Sequence, residues 1–60
     1  MSKYIQVKDT ILPAARVFMI KRLADIIIVY LNDGQIMEFK FATAHLAGGA
    51  LARLLQELNG

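Results

Sequence analysis

DIIIVYLNDGQIMEFKF, Asp25 to Phe41, decides how this chain folds. Two runs rich in β-branched and aromatic residues flank Asn32-Asp33-Gly34, which is the signature of a β-hairpin. A three-residue loop with Gly34 in the left-handed region gives a type I turn followed by a G1 bulge. That requirement accounts for Gly34 as a turn residue and leaves no reason to read it as part of a phosphate loop.

The two strands of this hairpin differ. In the second, Gln35, Met37, Phe39 and Phe41 share one face, and Ile36, Glu38 and Lys40 share the other. In the first, Ile26 to Leu31 is apolar on both faces apart from the Tyr30 hydroxyl. The expected register joins Ile27, Val29 and Leu31 to Met37, Phe39 and Phe41. Ile26, Ile28 and Tyr30 then lie with Ile36 on the opposite face. A strand apolar on both sides is normally covered on both, and one helix covers only one.

Working outward, RVFMIKR (Arg16 to Arg22) reads as a strand. Its link to the hairpin is short enough for an antiparallel neighbour. Its inward face is either Val17 with Met19 or Phe18 with Ile20. Pro13 interrupts the pattern before it, and ILPAA suits a turn or one helical turn. KYIQV at the start is a short strand with Ile5 and Val7 on one face, either at a sheet edge or as an arm pairing with another chain. After Phe41 the apolar period changes from 2 to 3.6. Thr43 is placed to cap a helix. Ala47, Leu51, Leu54, Leu55 and Leu58 form its core stripe, and Asn59-Gly60 ends it. The expected fold is α+β, one small domain over residues 1–60. A small antiparallel β-meander of three to four strands is followed by one C-terminal helix packed on one sheet face.

The helix contains Gly48 and Gly49, each costing roughly 1 kcal/mol relative to alanine. Ala44, Gly48 and Ala52 are spaced to form a ridge of small residues, which suits close approach of another backbone. Leu46 projects to the other flank. Leu46, Gly48 and Ala52 are therefore candidates for a contact between subunits, beside Ile26, Ile28, Tyr30 and Ile36 of the sheet. Two plainer readings compete: a helix that begins near Ala50, or a ridge seated on the chain's own sheet.

Size and composition also point to assembly. Small domains supplement a limited core with disulfides, a metal or oligomerisation. There is no cysteine and only one histidine, so disulfides, thiolate zinc sites and a histidine-rich metal site within one chain are excluded. Hydrophobic residues make up 57% of the chain and charged residues 20%, an excess of apolar surface that needs a cover. A homo-oligomer supplies it. A bilayer does not, because the longest stretch free of charge, Phe41 to Ala52, is too short to span one. The N-terminus lacks the apolar run of a signal peptide, so a cytoplasmic protein is expected.

The net charge is +2, and the basic residues are dispersed apart from Lys21-Arg22. Catalytic machinery is thin. Ser2, Tyr4, Thr10, Tyr30 and Thr43 are the hydroxyl groups, and His45 is the one imidazole. A Thr43–His45 pair lacks a third group to orient the ring. Asp9, Asp25, Asp33, Glu38 and Glu57 are scattered, and no nucleotide-binding or metal-ligand spacing occurs. No catalytic, cofactor or metal residue and no small-molecule substrate is expected. The expected role is a non-enzymatic, self-associating interaction or scaffold module. The alternative is a single-strand nucleic-acid binder using Lys21, Arg22 and Lys40, with aromatic side chains for stacking.

Overall fold

The computed structural model describes residues 3–59. In chain order the elements are β1 (Tyr4–Val7), β2 (Thr10–Pro13), a 3-10 turn (Ala14–Arg16), β3 (Val17–Leu23), β4 (Ile26–Leu31), β5 (Ile36–Lys40) and α1 (Ala44–Asn59). The strands form two antiparallel sheets, the meander β3-β4-β5 and the hairpin β1-β2. The fold is α+β with its helix packed on the sheet, as the change of period implies.

The central hairpin has the expected register. Ile27 pairs with Phe39, Val29 with Met37, and Tyr30 with Ile36. Gly34 sits at φ 91°. Its N–H donates to the Leu31 carbonyl at 3.1 Å, and the Leu31 N–H donates to the Gln35 carbonyl at 2.8 Å, which closes a bulged three-residue loop. Asp33 anchors that loop from both sides. Its Oδ1 accepts from the Gln35 N–H at 3.0 Å, and its Oδ2 meets the Arg16 guanidinium at 3.3 Å.

Ile27, Val29 and Leu31 form the floor of the core. Ile5, Val7 and Leu12 of the β1-β2 hairpin and Ala47 and Leu54 of α1 are buried in the same cluster. The second layer is thus a hairpin and a helix together, and α1 contacts β1 as well as β3 and β4. KYIQV buries Ile5 and Val7, as its alternation requires, and pairs with β2 of its own chain.

Three expectations change. ILPAA is not simply a turn: Thr10–Pro13 is a strand, and the 3-10 turn follows it. Pro13 is tolerated there because of the ladder's phase. Lys3 accepts from the Ala14 N–H, so the next pair, Tyr4 and Pro13, is one that exchanges no hydrogen bonds. Second, neither proposed face of β3 is correct. A register shift between Val17 and Met19 leaves Phe18 as the extra residue of a bulge. The bulge flips the side-chain parity, so Val17 and Ile20, three apart, both pack on the core. Third, Leu55 leaves the core stripe and is 44% exposed.

The helix is continuous through Gly48 and Gly49, with the Thr43 hydroxyl accepting from the Leu46 N–H at 3.1 Å as the N-cap. No helix among the described residues is long and apolar enough to cross a membrane. Gly60, expected to help end α1, lies outside the described residues.

Three substitutions test the backbone, each by urea denaturation. Ala24, in the β3-β4 turn, sits at φ 55°. Ala24→Gly should raise stability by roughly 0.5 kcal/mol, since relief of left-handed strain exceeds the entropy given to the unfolded chain. Gly34→Val should lower it by about 2 kcal/mol, because a β-branched side chain is strained at positive φ. Nothing lies within 4 Å of a methyl group built on Gly49. Gly49→Ala should therefore add up to about 1 kcal/mol through helix propensity.

Candidate interaction surface

Cross-strand partners share a face of a sheet. The registers of β3-β4-β5 therefore array nine side chains on the face turned away from the helix. One row is Met19, Tyr30 and Ile36, the next Lys21, Ile28 and Glu38, the third Leu23, Ile26 and Lys40. Each row reads from β3 through β4 to β5. The middle column is Tyr30, Ile28 and Ile26, the second apolar side of the central strand.

This face carries large apolar side chains in water. Leu23 is 63% exposed, Ile36 57% and Met19 44%. Ile28, ringed by the other eight side chains, is only 7% exposed. It is buried without joining the main core cluster. The expectation that this face has no cover within the chain is thus met at its margins and not at its centre. Lys21 lies with its ammonium 5.8 Å from the Tyr30 ring centroid, a cation–π distance. Among the described residues Lys21 and Glu38 enter no ion pair; the pairs present are Arg16–Asp33 and Arg53–Glu57.

Ile26, Ile28, Tyr30 and Ile36 are brought together here as the alternation of β4 and β5 implies. Leu46, Gly48 and Ala52 are not; they lie on the helix, across the sheet from this face. Gly48 is half-buried, and a methyl group added to it would meet Arg22 Nε at 4.0 Å, an ordinary contact. The sheet therefore does not require glycine at that position. Lys21 and Lys40 share the open face, but Arg22 points to the opposite one. Its Nη1 donates to the Ala24 carbonyl at 2.8 Å. Met19 and Leu23 were the residues the sequence did not assign to this surface. Their parity follows from the bulge at Phe18, which has no sequence marker.

A second feature is a groove of about 540 Å³ between β1 and the first half of α1. Val7, Phe41, Leu46 and Leu54 give it apolar walls, and Lys8, His45 and Arg53 stand at its rim. Its cations are partly occupied. Arg53 donates to the Gln6 carbonyl at 3.1 Å, and Lys8 donates to the Lys40 carbonyl while lying 5.2 Å from the Phe41 ring centroid. These contacts tie the hairpin to the helix and to the end of β5.

No family model, curated protein or solved structure is significantly similar to this chain. The site thus rests on its own chemistry. Among the described residues no three His, Cys, Asp or Glu side chains gather as a metal site would need. The Thr43 hydroxyl serves as a helix cap, and His45 is exposed at the groove. Ser2, counted among the hydroxyl candidates, lies outside the described residues.

The difference in burial across the open face separates folding from surface effects. Ile28→Asp should destabilise the chain itself by about 3 kcal/mol or more, because it puts a carboxylate into a site already closed to water. Ile36→Asp, more than half exposed, should change the melting free energy of the single chain by less than about 1 kcal/mol. Thermal melts followed by circular dichroism at low protein concentration check both.

Proposed function

We propose that the chain is a non-enzymatic interaction module that self-associates through the open face of its three-stranded sheet. The observation that carries this reading is the apolar column Tyr30-Ile28-Ile26 flanked by exposed Met19, Leu23 and Ile36. A contiguous apolar surface of this kind marks an interaction site on a small protein. Cover from a second chain would also complete the burial that β4, apolar on both sides, calls for. The helix stripe is already spent on the chain's own core, so the sheet is the better candidate for assembly than the ridge of Gly48 and Ala52.

The alternative, a nucleic-acid surface on the same face, is supported by Lys21 placed over Tyr30 and by Lys40 two strands away. It is weakened by Glu38, next to Lys40 on the same face of β5, and by Arg22 on the other side of the sheet. Stacking calls for exposed rings on the same face; Tyr30 is half-buried, and Phe18, though 71% exposed, is the extra residue of the β3 bulge and stands in none of the three rows.

Sedimentation velocity over a wide protein range tests the first reading. A mass that rises with concentration and falls to the monomer in Ile36→Asp supports it. A monomer at all concentrations sinks it. Binding of single-stranded DNA or RNA at low salt, lost steeply as salt is raised, would favour the alternative.

A further inference from the structure

The charges on the open face say how two copies would meet. Resting on the self-association reading, we infer that the dimer is face to face, with its two-fold axis parallel to β4 and passing over Ile28. The middle row runs Lys21, Ile28, Glu38, with a cation on β3 and an anion on β5. A two-fold axis along the strand exchanges left and right. It sets Ile28 of one copy against Ile28 of the other, and Lys21 of each against Glu38 of its partner. The upper row then places Met19 against Ile36, so these two exposed apolar side chains cover each other, and the lower row sets Leu23 against the aliphatic stem of Lys40, whose ammonium can reach water at the sheet margin.

The other simple axes fail on charge. An axis across the strands exchanges top and bottom, and it opposes Lys21 to Lys21 and Glu38 to Glu38. A diagonal axis presses both charges onto the apolar column. Like charges and unpaired charges at a contact are strongly disfavoured. Neither Lys21 nor Glu38 has an ion-pair partner among the described residues of its own chain. Both are therefore available across the contact.

The geometry is within reach. Facing sheets lie about 10 Å apart and are turned by roughly 30°. That turn displaces edge-strand residues, about 4.8 Å from the axis, by roughly 2.5 Å relative to their partners. A lysine and a glutamate span such an offset. Three strands of this length offer a footprint of about 15 by 20 Å, roughly 600 Å² over both copies, which is below the range of stable interfaces and in that of weak, transient ones. A reversible dimer, sensitive to concentration, is the corresponding expectation.

Charge exchange tests the orientation. Lys21→Glu and Glu38→Lys are made singly and together, and sedimentation equilibrium gives the dimer dissociation constant of each, with circular dichroism confirming the fold. Each single variant should raise the constant by about tenfold or more, since it opposes like charges twice in the symmetric contact. The double variant should return to within about threefold of the original. A double variant as weak as the singles, or singles without effect, would overturn this orientation while leaving self-association intact. A wild-type chain that stays monomeric overturns the underlying reading. Because the chain has no cysteine, one engineered thiol gives a second measurement. Tyr30→Cys should cross-link to itself through a short bis-maleimide and yield covalent dimer under the strand-parallel axis. Under the axis across the strands, Tyr30 faces Ile26 instead, and self-linking at Tyr30 should be lost.

Discussion

Strand β4 is the constraint from which the rest of the structure follows. Six residues, Ile26–Leu31, are apolar on both sides, and they form the middle strand of the larger sheet. A central strand in a short chain must be covered on the first side by whatever the remaining sequence can supply. Here the supply is a two-stranded hairpin and one amphipathic helix, which together enclose Ile27, Val29 and Leu31. None of the described elements covers the second side. Its central isoleucine is shielded by neighbours on the same face, and its margins stay in water.

Polar contacts hold the two layers in register without entering the core. No buried polar or charged residue is found among the described residues. The stitching is peripheral. Asn32 donates to the Ala15 carbonyl at 2.7 Å, Arg53 reaches the Gln6 carbonyl, and Arg16 pairs with Asp33. Exposed ion pairs contribute little to stability. These contacts fix positions, while apolar burial provides the energy. Such a core tolerates single losses poorly, because a small domain has few buried side chains to share the load.

The parts legible in the sequence were those with strong local chemistry. Asn32-Asp33-Gly34 specified the turn and hence the register of β4 on β5. Thr43 and the leucine spacing specified the helix. The parts that were not legible depended on non-local pairing. Thr10–Pro13 becomes a strand because KYIQV turns back on it through Lys8-Asp9, a turn with no glycine or asparagine and with Lys8 at φ 55°. Proline there reads as an interruption until the phase of the ladder is known. The parity of β3 was likewise hidden, because an apolar run such as VFMI fits either face and only the bulge chooses. Of the candidate surface, the residues on β4 and β5 were therefore readable, and those on β3 were not. Leu46, Gly48 and Ala52 read from the sequence as part of the same surface because a sequence gives exposure along an element without saying on which side of the molecule that element lies.

The bulge at Phe18 has a consequence for growth. In the larger sheet β3 and β5 are both outer strands, and each presents main-chain donors and acceptors on its outer side. A regular apolar outer strand is a template onto which further chains can add without limit. The irregularity between Val17 and Met19 breaks the even spacing of those groups on β3, and Glu38 and Lys40 mark β5 with alternating charge. Extension of the sheet sideways into a fibril is thereby obstructed at both margins. What remains open is the flat of the sheet, the surface on which the proposed dimer rests.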